Sequence, residues 1–201
     1  MQHCKIVGIG HPRSGTKTTA TLLQKSGLDV GHETIKKDGV VAWQLLAPYG
    51  PYPYITDFNS RPKFDYLIYN VRNPFDSIPS IVYTEDTKMP SFNFRLRECK
   101  IPLKENNPIE NAIISISYFD KLIDEMQPHI TFRIEDQSDK LFKFLKRQKI
   151  KINYTKIPKK KYNRRKHPNF EEMVLEFGDI SYKCKKLFNN FCFKHGYLNK
   201  L

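Results

Sequence analysis

The chain has 201 residues, 39% of them apolar and 13% aromatic, with 34 lysines and arginines against 21 aspartates and glutamates. That length and content imply one domain over residues 1–201 with a real core, and exclude wholesale disorder. The formal charge of +13 points to anionic partners, and thirteen basic residues with no acid between Lys140 and His167 equal the whole excess.

The N-terminus, Met1-Gln2-His3-Cys4-Lys5, leads straight into a strand-like run and does not read as a signal peptide. No stretch reaches the roughly 18–20 uninterrupted apolar residues of a membrane span. A cytoplasmic protein without a membrane span is therefore expected. Cys4, Cys99, Cys184 and Cys192 show neither CxxC pairing nor zinc-ligand spacing, so they are read as reduced thiols, with no metal expected.

Lys5 to Gly10 is a short β-branched run ending in glycine, the pattern of a buried strand entering a loop. His11 to Thr16 forms that loop, and Lys17 to Lys25 suits a helix stopped by Ser26-Gly27. Leu28 to Glu33 reads as a second strand and Asp65 to Val71 as a third. Between them, Ala47 to Pro62 is rich in Pro, Gly and Tyr and reads as a surface loop or lid.

Asn73-Pro74 pairs a capping residue with proline at the first helical position, and Pro79 should kink or restart the helix that follows. Thr84 to Asn107 reads as loop. Asn107-Pro108-Ile109-Glu110 resembles a capping box, with Ile109, Ala112, Ile113, Ile116, Phe119 and Ile123 at helical spacing behind it. His129 to Ile134 reads as a strand and Leu141 to Lys149 as a helix; Ile180, Cys184, Leu187, Phe188 and Phe191 mark one face of a last helix.

Strands alternating with helices predict an α/β fold, a single three-layer domain with a mainly parallel central sheet flanked by helices. Ligands in such folds sit at the carboxyl ends of the strands. Those exits carry Pro12 to Thr16, the pair His32-Glu33, and Arg72-Asn73-Pro74.

A glycine-containing turn that opens a helix presents free backbone N–H groups and a positive dipole end, which favour an anion. Gly10 and Gly15 have the spacing of the nucleotide P-loop, but Thr16 occupies its lysine position and Lys17 comes one residue late. One helical residue turns a side chain by about 100°, so Lys17 is no simple substitute. Pro12-Arg13-Ser14-Gly15-Thr16 instead resembles the 5′-phosphosulfate loop of the sulfotransferase family, Pro-Lys/Arg-Ser-Gly-Thr. Arg72 and Ser80, eight residues apart, are similar to that family's 3′-phosphate pair of a strand-end arginine and a helix serine.

Three further stretches look like bacterial and carbohydrate-type members. They are Val30-Gly31-His32-Glu33 with Asp38-Gly39 and Trp43, the Arg133-Ile134-Glu135-Asp136 segment, and the basic motif Asn163 to Pro168.

The resemblance implies a P-loop NTPase-like sulfotransferase fold and 3′-phosphoadenosine 5′-phosphosulfate (PAPS) as donor. The sulfuryl group would pass in line to an acceptor hydroxyl or amine, PAP would leave, and no metal would be needed. The implied donor-binding residues are Arg13, Ser14, Gly15, Thr16, Lys17, Thr18, Arg72, Ser80, Arg164 and Arg165. An arginine is a poor proton donor, so Arg13 is expected to act as an electrostatic clamp. The base is expected to be Glu33, with His32 as the alternative; His11 and Asp38 are read as structural.

The implied partners are the nucleotide donor and an acceptor, an acidic glycan or small molecule among the candidates, with no stable nucleic-acid complex. Competing readings are a P-loop nucleotide kinase and a basic nucleic-acid-binding module stacking bases on Tyr154 and Tyr162.

Overall fold

His3–Ile9 forms β1, whose apolar residues Ile6, Val7 and Ile9 are fully buried. In the computed structural model, which describes residues 3–85, 88–103, 107–153, 166–197 and 201, this strand lies at the centre of a five-stranded sheet. A polar loop follows, then α1 (Thr16–Lys25), β2 (Val30–His32), β3 (Gly39–Val41), a short 3-10 helix (Trp43–Leu46) and β4 (Lys63–Val71). Next come α2 (Pro74–Val82), α3 (Pro90–Arg97), α4 (Pro108–Glu125), β5 (Ile130–Arg133), α5 (Ser138–Arg147), α6 (Phe170–Phe177) and α7 (Tyr182–His195). The strand order is β2-β3-β1-β4-β5 and every pairing is parallel.

The chain divides into two compact units, Met1–Arg72 with Met126–Arg164, and Asn73–Glu125 with Arg165–Leu201. The first holds the whole sheet with α1 and α5. Ile6, Val41, Ile68 and Phe132 of the strands share one apolar cluster with Leu23 of α1 and Leu141 and Leu145 of α5. On the opposite side of the same strands Val7, Ile9, Val40, Leu67, Tyr69 and Val71 are buried as well. Burial on both faces explains why β1 and β4 read as continuous apolar runs instead of alternating ones. Each fully buried aliphatic side chain contributes roughly 1.5–3 kcal/mol. The chain is thus α/β with a parallel sheet and flanking helices, as expected.

The second unit is helical. Phe75 of α2 packs on Phe170 of α6 and Phe188 of α7, with ring centroids 4.9 and 5.0 Å apart. Asn107 caps α4 by accepting from Glu110 N at 3.0 Å, while the Glu110 carboxylate accepts from Ser181 N, also at 3.0 Å, and so ties the starts of α4 and α7 together.

Several expectations are corrected. β3 and the 3-10 helix lie in a stretch without a periodic pattern; β3 has three residues and becomes a strand only by pairing between β1 and β2. The stretch read as loop from Thr84 to Asn107 contains α3, whose buried face includes the charged Arg95, and a cation at a core position conceals the helical period. α6, absent from the expected elements, begins at a full capping box between Asn169 and Glu172, whose Asn-x-x-Glu spacing is a signal present in the sequence. Pro79 does not restart α2, which runs through it. β2 ends at His32, leaving Glu33 beyond it with φ 58°.

The loop at 47–62 is pinned to the 3-10 helix and to itself: Arg61 donates to the carbonyls of Leu45 and Leu46 at 2.7 and 2.5 Å, and Tyr52 to that of Ala47 at 3.0 Å. All four cysteines are buried and free. Among the described residues no helix is long and apolar enough to cross a membrane.

Candidate anion-binding and catalytic site

Chain direction across the sheet reverses at β1: β2 and β3 lie on one side of it, β4 and β5 on the other. In open α/β sheets that reversal leaves a crevice outside the strand carboxyl ends. The loop from Gly10 to Thr16 lies there. Two residues turn it through the left-handed region, Arg13 at φ 70° and Gly15 at φ 92°. Gly15 suits its place twice over, because a Cβ there would also meet Ile134 Cδ1 at 2.5 Å.

Gly15 is the N-cap of α1 and carries no side-chain cap, and the first turn holds no acid. The N–H groups opening α1 are therefore left for an anion, at the positive end of the helix dipole.

Neighbouring strands hold this loop. Asn70, fully buried near the end of β4, donates through Nδ2 to both the carbonyl and the Oγ of Ser14, each at 3.0 Å. The close approach requires Gly10, since a Cβ there would lie 2.5 Å from Ser14 Oγ and 2.6 Å from Asn70 Nδ2. Asn70 Oδ1 is buried without a partner, a cost accepted to orient the amide toward Ser14.

One residue past β4, Arg72 donates through Nη1 to the Arg13 carbonyl at 3.0 Å. A guanidinium has five N–H groups, and among the described residues one of them is engaged, by the Arg13 carbonyl. From β2, His32 Nε2 and Thr16 Oγ1 lie 3.2 Å apart. The exits of β1, β2 and β4 thus meet.

The polar pair at the end of β2 divides its contacts. Burial lowers the His32 pKa; the Glu33 carboxylate opposes this and the Lys17 charge reinforces it. The ring is therefore neutral at physiological pH. The Glu33 backbone N–H bonds the Val41 carbonyl at 3.1 Å, and its carboxylate is engaged by Gln44, fully buried in the 3-10 helix, whose Nε2 donates to Glu33 Oε1 at 3.1 Å and to the Pro53 carbonyl at 2.8 Å. A carboxylate on a strained backbone, fixed by a buried amide, is the kind of arrangement found where a side chain must be aimed.

Of the expected site residues, Arg13, Ser14, Gly15, Thr16 and Arg72 are joined by these contacts to one another or to their strand neighbours, and Lys17 lies exposed on the first turn of α1 beside half-buried Thr18. Ser14 is buried, its hydroxyl engaged by Asn70. Ser80 belongs to the helical unit, where it is buried in α2 and its carbonyl accepts from Thr84 Oγ1 at 2.5 Å. Arg164, Arg165, Tyr154 and Tyr162 lie outside the described residues.

His11 is buried with Nδ1 2.6 Å from the Pro12 carbonyl, and Asp38 Oδ2 accepts from Asp29 N at 2.7 Å, both structural contacts. Arg133 pairs with Asp136 through Nε at 2.9 Å. Asn70 and Gln44 were missed. Asn70 had a signal, as an amide inside an apolar strand run; Gln44 had none.

No family model matches the chain, and no curated protein is similar to it in sequence.

Proposed function

We propose that the protein is a sulfotransferase that moves a sulfuryl group from PAPS to an acceptor hydroxyl or amine and releases PAP. The observation that carries this reading is the start of α1, without a side-chain cap, set between a left-handed Arg13-to-Gly15 turn and the Arg72 guanidinium. The cradle supplies donors only. Thr16 stands where a P-loop kinase needs lysine, and its hydroxyl is engaged with His32.

The donor brings an activated sulfuryl group on a nucleotide phosphate. The N–H groups of Gly15 to Thr18, with the Lys17 ammonium, bind the 5′ oxygens, and Arg13 stabilises charge that builds on the leaving phosphate. Arg72 takes the ribose 3′-phosphate. Glu33 accepts the acceptor's proton while Gln44 keeps its carboxylate aimed. His32, neutral and bonded to Thr16, positions the loop.

Calorimetry tests the reading. Adenosine 3′,5′-bisphosphate should bind without metal and more tightly than ATP with magnesium, and the reverse preference would overturn it. Arg72→Ala should weaken the bisphosphate far more than AMP, and Glu33→Gln should abolish turnover while leaving bisphosphate affinity unchanged.

A further inference from the structure

The outer strand of the sheet carries a second cationic site. β5 and α5 enclose an open cleft of about 620 Å³, lined among others by His129, Thr131, Lys140, Lys143, Phe144 and Arg147. α5 buries Leu141, Phe142 and Leu145, so its remaining face is free to be polar. Lys140, Lys143 and Arg147 recur at i, i+3 and i+7, which puts them on one stripe, about 4.5 and 6 Å apart along the axis.

All three are exposed, and none forms an ion pair among the described residues. Arg147, in the last turn, has an ordinary explanation in the helix dipole. Lys140 and Lys143 follow Asp136 and Asp139 at i+4, and Asp136 is engaged by Arg133.

His129 adds a donor of fixed direction. Its backbone N–H bonds the Leu67 carbonyl at 2.9 Å, and its Nδ1 accepts from Leu67 N at 3.1 Å. The ring proton of the neutral imidazole therefore sits on Nε2. The ring is held edge-on by Tyr66 at 5.6 Å, and Tyr66 in turn packs on Phe144 at 5.7 Å, making a firm aromatic floor. Among the described residues no carboxylate lines the cleft. It runs along α5 beside the amino end of β5, and its lining includes no residue of the Gly10-to-Thr16 loop.

We propose that this cleft docks an extended acidic peptide segment of a protein partner. The stripe spans about 10.5 Å, the length of roughly three extended residues at about 3.3 Å each. Carboxylates two residues apart, about 6.6 Å, match the step from Lys143 to Arg147. The floor between the cations is apolar, from Ile130 and Phe144, and accepts the side chains between the acids. A single nucleic-acid strand would need open aromatic faces, and Tyr66 and Phe144 are packed edge-to-face against each other.

The test is fluorescence anisotropy of a labelled peptide of alternating glutamate and alanine against the full chain at low salt, with a glutamine-for-glutamate peptide as control. The glutamate peptide should bind, the control should not, and added salt should weaken the complex. Reversing charge at Lys140→Glu, Lys143→Glu and Arg147→Glu together should weaken it at least about tenfold, and the glutamine triple variant less, with unchanged bisphosphate affinity. Affinity within about twofold of the parent after reversal would overturn the proposal. So would an oligonucleotide or a sulfated glycan that binds more tightly than the peptide and is lost on the same reversal.

Discussion

Replacing Asn70 by alanine tests whether the loop is held from β4. The amide makes two bonds of 3.0 Å to Ser14, which is itself 5% exposed, so the substitution leaves a buried carbonyl and a buried hydroxyl short of a donor. Each such loss costs about 1–3 kcal/mol, and removal of the unpartnered Oδ1 returns one cost of similar size. The net is about 2 kcal/mol, or roughly a thirtyfold shift in the unfolding constant.

Trp43 is the single tryptophan, buried in the same unit, so its fluorescence during urea unfolding reports on this part of the chain. Asn70→Asp refines the test. A buried carboxylate facing the Ser14 carbonyl has its pKa raised above the unfolded value, so the variant is worst at neutral pH and recovers as pH falls through that raised pKa, where the acid can donate again. If Asn70→Ala stays within about 0.5 kcal/mol of the parent and Asn70→Asp shows no recovery in acid, the amide does not hold the loop.

Gly15→Ala should cost about 2 kcal/mol in the same assay and weaken adenosine 3′,5′-bisphosphate binding, from positive φ and the contact with Ile134; unchanged binding would remove the loop from the site. Arg95→Ala should lower thermal stability by about 3–5 kcal/mol, because Arg95 is buried with Glu85 at 3.7 Å and Ser115 at 2.9 Å and its loss strands the carboxylate; Arg95→Met should cost no less if the pair matters and clearly less if only volume does.

Burial alone would raise the Asp120 pKa, but hydrogen bonds and charge from His195 and Lys194 outweigh it and hold the carboxyl below its usual value. The stability this gives is present above the unfolded value near 3.9 and lost as pH falls through the folded one. Asp120→Asn should therefore be less stable at pH 7, with the gap closing below about pH 4, as read by hydrogen exchange in α4 and α7.

Local signals carried far in this chain. The β-branched run into Gly10, the caps at Asn73 and Asn107 and the apolar period of α4 each depend on residues within one turn or strand of one another, and each element formed where its residues predicted. The alternation of strands and helices was enough for the α/β class, and it put Arg13, His32, Glu33 and Arg72 at or just beyond strand ends, where the fold has them.

Strand order, β3, and the partners of the site required the folded chain. Asn70 reaches Ser14 across 56 positions, and Arg72 reaches Arg13 across 59. Gln44 has no distinguishing neighbours and gains its role only because the 3-10 helix lies beside the end of β2. Arg95 interrupts the apolar pattern of α3 because its partners, Glu85 and Ser115, come from elsewhere in the chain. A hydrogen bond between distant positions leaves no periodic trace in either segment, so which polar groups are paired, and in what orientation, is decided by tertiary packing alone.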